Sequence, residues 1–390
     1  MELTGIWPPL PTIIRNWPSF PIPEDYDFDA AVVHQNHVCE VNLSYLTKSQ
    51  LQRLASAMQV QLPRLNHLLL GSLDDGHPAP ALPDGFLGGS APRLLSLKLN
   101  SVGFPALPKL LLSAIDLVHL TLENISHSGC VSPEAIVTGL AVLASLQSLI
   151  IEFRSPLSLS NSDSRPQPSP IRTILPALTR FEFKGVSEYL EHFLARIDAP
   201  SLDLISITFF HQLIFDIPRL AQFMKRTTRF EALNEAHVDF GPSCVQVGYL
   251  PPQIFDGKSG SRILCGMLDW QLSSLAQVST SFYPSISKVE HLYFYGDRYM
   301  LSQWQDDTEN MQWLDIFHPF TGVKNLYVVK EISQPIAFIL QELVGEDVLP
   351  ALESLFLEDL RPRVKEAIGP FIATRQLLGH PVTVFDWERT

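Results

Sequence analysis

The most chemically suggestive spacing in the chain is His34-x-x-His37-x-Cys39, because imidazole and thiolate are preferred ligands of Zn²⁺. In an extended strand His37 and Cys39 share a face, but a structural zinc site needs four ligands in a closed geometry. The pattern supplies only three. We therefore expect a histidine at the start of a strand and a cysteine within the sheet, with no metal and no cofactor.

Two further patterns resemble parts of known sites without completing them. Gly257-Lys258-Ser259 matches the end of a phosphate-binding P-loop, but Pro252 occupies the position of that loop's first glycine. The acidic run Asp306-Asp307-x-Glu309 lacks the glycine and the spacing of a calcium loop and is typical of a solvated surface. No Gly-x-Ser-x-Gly sequence marks a nucleophilic serine. We therefore expect no catalytic residues and a protein that is not an enzyme.

The charge balance argues against several classes of partner. The chain has 28 Lys and Arg against 41 Asp and Glu, a formal net charge of −13, which disfavours nucleic acid and anionic lipid as partners. Four cysteines lie far apart in the sequence and favour a reducing compartment, so we expect a cytoplasmic or nuclear protein. The chain has no signal-peptide pattern and no apolar stretch long enough to span a bilayer, so we expect no membrane partner.

The elements that would position any site come from an internal repeat. The phrase apolar-x-x-apolar-x-apolar occurs ten times, starting at Val38, Leu65, Leu94, Leu117, Leu146, Leu178, Leu202, Val289, Val323 and Leu352. The first seven starts are 23 to 32 residues apart, and a short Pro-containing lead-in such as Leu62-Pro63-Arg64 often precedes the phrase. Its alternating middle predicts a strand, and capping signals between phrases, such as Thr47-x-x-Gln50 and Ser132-Pro133, predict helices.

A strand-helix unit of this length buries its apolar face only by stacking on its neighbours. We therefore predict an α/β leucine-rich-repeat solenoid of about twelve irregular units, with a parallel concave sheet and convex helices. Residues 1–36 are predicted to form a Pro-rich N-terminal cap and residues 37–390 the solenoid. The Ser/Pro-rich stretch 155–170 is predicted to be a disordered loop, and Pro381 to Trp387 to supply the last strand.

Two features depart from a standard leucine-rich repeat. The ninth phrase position, usually Asn or Cys, is apolar or charged here, so the turn backbone must find other hydrogen-bond partners. It holds Leu73, Val102, Ile125, Arg154, Val186 and Leu360. The region Arg229–Arg262 contains two alternating runs joined by Gly241-Pro242-Ser243, which fit either a hairpin or two compressed repeats.

Several phrases give the chain a family resemblance over nearly its whole length. They are Trp7–Arg15, His37–Val41, Leu62–Leu68, Ala199–Asp203 and Leu268–Leu275. With these phrases the chain resembles the F-box/leucine-rich-repeat proteins of mushroom-forming fungi. The resemblance implies a protein-interaction module, the substrate-recognition part of a cullin-type ubiquitin ligase.

One departure from the family pattern concerns the start of the chain. Members usually begin with an F-box, a short helical segment that binds a Skp-type adaptor, and no such segment is recognisable here. The phrase Trp7–Arg15 resembles the segment directly after an F-box, so we expect Skp-type adaptor and cullin as partners only of a longer form. The alternative is a stand-alone leucine-rich-repeat scaffold with no link to a ubiquitin ligase.

The repeat also predicts where a protein partner would bind. By strand alternation, phrase positions three, five and seven face the concave surface, and interface hot spots favour aromatic residues. Of the residues at these positions in the late phrases, six are predicted to bind protein, which are His291, Tyr293, Tyr295, Asn325, Tyr327 and Phe356. Two alternatives are that a terminal segment folds over this patch, or that the register is shifted by one residue.

Overall fold

The structure, a computed structural model, is a mixed α/β arrangement of helices and largely parallel strands. The chain divides into two compact units, which are Met1–Gly185 with His192–Asp203 (unit 1) and Val186–Glu191 with Leu204–Thr390 (unit 2). The described residues are 11–16, 22–32, 35–73, 80–126, 129–156, 172–212, 214–227, 234–248, 260–265, 267–282, 286–296 and 310–388.

Unit 1 contains a row of parallel strands. Its strands are β1 (Thr12–Arg15), β2 (Val38–Leu46), β3 (His67–Ser72), β4 (Ser96–Asn100), β5 (His119–Ile125), β6 (Ser148–Phe153), β7 (Thr173–Ile174), β8 (Arg180–Gly185) and β9 (Ile197–Asp198). Its helices are α1 (Phe28–Val32), α2 (Lys48–Ala57), α3 (Leu107–Leu111) and α4 (Pro133–Leu140), and α5 (Ser187–Leu194) has residues in both units. The strands pair in the order β1-β2-β3-β4-β5-β6-β8, all parallel, and β7 pairs with β9.

Unit 2 combines parallel strands with one antiparallel insertion. Its strands are β10 (Leu204–Phe210), β11 (Glu235–Gly241), β12 (Cys244–Gly248), β13 (Gly260–Leu264), β14 (His291–Gly296), β15 (Asn325–Val328), β16 (Ser354–Leu357) and β17 (Thr383–Asp386). Its helices are α6 (Pro218–Arg226), α7 (Leu268–Phe282), α8 (Asn310–Phe317), α9 (Ser333–Glu342) and α10 (Pro362–Leu377). The strand order is β10-β13-β12-β11-β14-β15-β16-β17, and only β12 runs antiparallel to its neighbours.

All ten sequence phrases contain a parallel strand, and nine of these strands begin in the same way. In nine phrases the first apolar residue donates its N–H to the carbonyl three residues earlier, as Leu65 does to Leu62 at 3.0 Å and Leu352 to Leu349 at 3.0 Å. In the Pro-containing lead-ins, Pro occupies the second turn position, where its fixed φ favours the bend. The lead-ins are therefore β-turns that aim each strand into the sheet.

At the ends of the strands, backbone hydrogen bonds take the place of those made by the missing Asn side chain. Tyr45, Ser101 and Asn124 all occupy the eighth phrase position and have φ of 59°, 57° and 53°. One residue later, Leu73 N–H donates to Leu46 O at 2.8 Å, and Arg154 N–H donates to Ile125 O at 3.0 Å. The neighbouring chain segment thus supplies the hydrogen bonds that an Asn side chain would otherwise make.

One face of the strands packs against helices to form the core of each unit. In unit 1, Phe181 on β8 stacks on Phe193 of α5 with ring centroids 5.7 Å apart. In unit 2, Phe294 on β14, Phe240 on β11 and Trp313 on α8 contact one another, with ring centroids 5.7 to 6.3 Å apart. The alternate residues of the same strands form the opposite face, which is mostly half-buried, and the candidate site lies there.

Several sequence-based predictions can be compared with these elements. The predicted last strand is confirmed as β17, and the hairpin alternative for 235–248 is confirmed by the antiparallel pair β11 and β12. No strand is predicted before residue 37, whereas β1 pairs with β2 in the structure. The predicted disordered loop 155–170 lies outside the described residues from position 157 onward.

Candidate functional site

Five aromatic rings form a continuous stack across unit 2, which we call the aromatic ladder. Its members are His237 on β11, Tyr293 on β14, Tyr327 on β15, Phe356 on β16 and Phe385 on β17. Successive ring centroids lie 4.5, 4.3, 4.4 and 5.0 Å apart, with interplanar angles of 7°, 10°, 9° and 16°. Each ring therefore stacks face to face on the ring of the neighbouring strand.

The parallel register places these rings opposite one another. His237 pairs with Tyr293, Tyr293 with Tyr327, Tyr327 with Phe356, and Phe356 with Phe385. Neighbouring strands in a sheet are about 4.7–4.9 Å apart, which is also a favourable distance for offset-stacked aromatic rings. The rings thus stack because the parallel strands align them at the same register position.

The other predicted binding residues flank the ladder on the same strands, and all six are half-buried. Tyr295 lies two residues beyond Tyr293, and its hydroxyl is 3.2 Å from Nδ1 of His237. On the other side, Asn325 Nδ2 lies 3.4 Å from Nδ1 of His291. The structure therefore brings the whole predicted set onto one face of unit 2.

A residue near the C-terminus contacts the predicted patch, which bears on the alternative that a terminal segment folds over it. The ring of Trp387, just after β17, meets Tyr327 edge-on, with centroids 5.5 Å apart and an interplanar angle of 67°. The N–H of Trp387 donates to Leu357 O at 3.1 Å and fixes the backbone at that point. A C-terminal residue therefore contacts the ladder, while Tyr293 and Phe356 remain half-buried and Phe385 exposed.

Burial shifts the pKa of three ladder residues, which are His237, Tyr293 and Tyr327. His237 is buried, which lowers its pKa to about 4, so the imidazole is neutral at pH 7. Its Nε2 is 3.6 Å from Glu235 Oε2, and this contact is therefore between a carboxylate and a neutral ring. Burial also raises the pKa of Tyr293 and of Tyr327, so both phenols keep their protons. At neutral pH the ladder presents uncharged ring edges and hydroxyl groups.

The two ends of the ladder differ. On β12, the residue paired with His237 is Gly248, which has no side chain to continue the stack. At the other end, Phe385 belongs to β17, the last strand in the order, and is 42% exposed. The ladder is thus terminated at His237 and accessible at Phe385.

The corresponding face of unit 1 is polar rather than aromatic. Arg15 donates two hydrogen bonds, of 2.7 and 2.6 Å, to Glu40 and holds the pKa of that carboxyl below its ordinary value. Lys98 pairs with Glu123 at 2.7 Å. Arg15, Glu40 and Lys98, with His67, line a surface cavity of about 340 Å³. Arg15 and Lys98 are thus each paired with a carboxylate of the same unit.

The metal and phosphate patterns of the sequence lie mostly outside the described residues. His37 lies immediately before β2 and Cys39 lies within it, but His34 is outside the described residues. The Gly257–Ser259 and Asp306–Glu309 patterns are also outside them. In the part of the chain that the structure describes, no group of three or more His, Cys, Asp or Glu residues is arranged to hold a metal ion.

Within the described ranges, no helix has the length and apolar character needed to cross a membrane. Comparisons of the chain with protein-family models and with curated proteins found no match. The site is therefore interpreted from its own geometry.

Three residues of this site, which are His237, Phe385 and Trp387, are not among the binding residues predicted from the sequence. A signal for His237 was present, because Leu233-x-x-Ala236-x-Val238 is a further copy of the phrase, 56 residues before Val289. This copy places His237 at the fifth phrase position, which Tyr293 and Tyr327 occupy in their own phrases. Phe385 was assigned to a last strand, but Pro381 and Asp386 break the phrase there, so its register was not readable.

Proposed function

We propose that this chain is a protein-interaction module built from leucine-rich-repeat-like units, with the aromatic ladder as its main protein-binding surface. The observation that carries the proposal is the stack of five rings on one face of unit 2, of which all but His237 are at least partly exposed. Tyr and Trp are among the residues most enriched in interface hot spots, and stacked rings form a rigid surface that loses little entropy on binding.

The repeat interpretation is supported by hydrogen bonds that recur from unit to unit. In unit 1, Val118 O accepts N–H groups from Gln147 at 2.8 Å and Ser148 at 3.1 Å. In unit 2, Glu290 O accepts the equivalent pair from Lys324 and Asn325, both at 3.0 Å. The same contact at the same phrase position is what a stack of equivalent strand-helix units produces.

We infer from the sequence resemblance that the chain belongs with the F-box/leucine-rich-repeat proteins of mushroom-forming fungi. Its role would then be to recognise substrates for a cullin-type ubiquitin ligase, with the adaptor-binding box contributed by a longer form. The alternative is a free-standing scaffold with no ligase link. Both roles use the same recognition surface, so the ladder is the part of the proposal to test first.

The test is a capture experiment with the tagged chain in extracts of its source, read by mass spectrometry. The double variant Tyr293→Ser/Tyr327→Ser is compared with Tyr26→Ser/Tyr45→Ser, which removes two exposed tyrosines from unit 1. We expect the ladder variant to lose partners that the control keeps. Partners retained equally by both variants would show that the ladder is not the binding surface.

The same experiment separates the two roles. Recovery of a Skp-type adaptor together with a cullin supports ligase recognition, and the remaining ladder-dependent proteins are then candidate substrates. Recovery of ladder-dependent partners without adaptor and cullin supports the scaffold.

A further inference from the structure

The strand β17 ends the sheet of unit 2 with its outer edge unpaired among the described residues. Thr383 N–H donates to Glu353 O at 2.9 Å, and Trp387 N–H donates to Leu357 O at 3.1 Å, both toward β16. Because backbone groups alternate in direction along a strand, the N–H and C=O groups of Val384 and Asp386 point away from β16. These four groups are positioned to pair with a further strand.

The side chain at this edge is the accessible end of the aromatic ladder. Phe385 stacks on Phe356 at 5.0 Å, and no further ladder ring follows it in the described chain. At the opposite end, Gly248 offers no side chain for stacking on His237. A new strand on β17 would therefore extend both the hydrogen bonds of the sheet and the stack of rings, and only at this end.

The charge of the edge indicates what kind of strand would bind. Asp386 and Glu388 are both exposed there, and the whole chain has a formal net charge of −13. Acidic residues on an edge strand disfavour pairing with a second identical strand, because like charges would be brought together. They favour a partner segment with Lys or Arg, and electrostatic attraction would also speed its association.

We propose that β17 is a docking edge, to which an extended segment of a partner protein adds as a strand, stacking an aromatic side chain on Phe385 and placing basic side chains beside Asp386 and Glu388. This inference rests on the proposed function, since it names the partner chemistry of the same aromatic surface. Main-chain hydrogen bonds supply affinity in this mode of recognition, and the alternating side chains supply specificity.

The probes are peptides selected from a phage-displayed library of random dodecapeptides on the immobilised full chain. We expect the selected peptides to share an aromatic residue with Lys or Arg nearby. Their affinities, measured by fluorescence polarisation, are compared for Val384→Pro and Val384→Ala. Both variants remove the branched Val side chain, but only Pro removes the outward N–H, and an edge strand tolerates Pro at such a position.

We expect Val384→Pro to bind these peptides at least about tenfold more weakly than Val384→Ala, since pairing at this edge is blocked. If Val384→Pro does not fold, hydrogen exchange of the wild-type chain decides the question. Peptide binding must then slow exchange at the amides of Val384 and Asp386. Equal affinity of the two variants, or unchanged exchange at both amides, overturns strand addition.

Failure of the strand inference can be distinguished from failure of the proposed function. Peptides lost by Tyr293→Ser/Tyr327→Ser but bound by Val384→Pro would leave the ladder as the binding surface and remove β17 as the docking edge. Peptides bound by all variants would contradict both proposals. A dimer of the free chain that Val384→Pro dissociates would assign the edge to a second copy and overturn the choice of a partner segment.

Discussion

Tyr293 and Tyr327 occupy the same register position on adjacent parallel strands, and their ring centroids lie 4.3 Å apart. Neither ring is fully buried, so the pair contributes to stability while its edges remain accessible for binding. The same relationship repeats from His237 to Phe385, which makes the ladder a rigid element whose members depend on one another.

Removing the central ring should destabilise unit 2 by a measurable amount. Tyr327 stacks on Tyr293 at 4.3 Å and on Phe356 at 4.4 Å, and each aromatic pair adds stability beyond its buried area. We expect Tyr327→Ser to lower the free energy of unfolding by about 2–4 kcal/mol, measured by urea denaturation. Tyr327→Phe keeps both stacks and should cost less than about 1 kcal/mol. Equal losses in the two variants would show that the stacking is not the stabilising interaction.

Protonation of His237 should destabilise the folded chain in mild acid. Burial lowers its pKa from 6.5 to about 4, so the unfolded state binds the proton more tightly than the folded state. Stability is therefore lost as pH falls through this window, by about 3 kcal/mol in full, with Glu235 as the nearest facing charge. We expect His237→Phe, which retains a ring, to remove this loss in urea titrations at several pH values. An unchanged pH slope would contradict the assignment.

Glu191 should produce the opposite trend. Burial raises its pKa from 4.5 to about 7, although the carboxylate accepts N–H groups of Arg219 at 2.7 Å and Leu220 at 2.8 Å. The folded state then binds the proton more tightly than the unfolded state, so stability falls by about 3 kcal/mol as pH rises through this window. Asp216 reinforces the rise in pKa and Arg219 opposes it.

The matched pair for this test is Glu191→Gln and Glu188→Gln, the latter an exposed residue of the same helix. We expect Glu191→Gln to remove the loss of stability between pH 4.5 and pH 7, while Glu188→Gln behaves as the wild type. His237 and Glu191 change the free energy of unfolding in opposite directions over overlapping pH ranges. Removing either group should therefore reveal the pH dependence of stability that the other produces. Identical profiles for the two glutamine variants would rule out this role for Glu191.

A glycine at position 45 should stabilise the end of β2, where its register with β3 shifts. Tyr45 is 52% exposed and has a φ of 59°, in the left-handed region that costs residues with a Cβ about 1–2 kcal/mol. Glycine avoids this strain but has greater entropy in the unfolded chain, so we expect Tyr45→Gly to gain about 0.5–1 kcal/mol in thermal or urea unfolding. Tyr45→Ala retains the Cβ and should give no such gain.

Local sequence patterns specify the strands and their spacing. Apolar residues at the first, fourth and sixth phrase positions recur because a strand with one buried face needs them, and all ten phrases contain a strand. The capping box at Thr47 and Gln50 likewise marks the start of α2, where the two hydrogen bonds measure 2.9 and 3.3 Å. The same alternation placed Tyr293, Tyr327 and Phe356 together on one face.

The full extent of the aromatic surface depends instead on how the strands assemble. His237 joins the ladder because β11 lies between β12 and β14 in the sheet and pairs with β14 in parallel. No local sequence pattern specifies that β11 and β14 pair. Phe385 and Trp387 join it because β17 pairs with β16 despite lacking the repeated phrase. Local sequence encodes which face of a strand is buried, whereas strand order and register depend on contacts between residues far apart in the chain. For that reason the two ends of the ladder, one closed and one accessible, could be identified only in the folded chain.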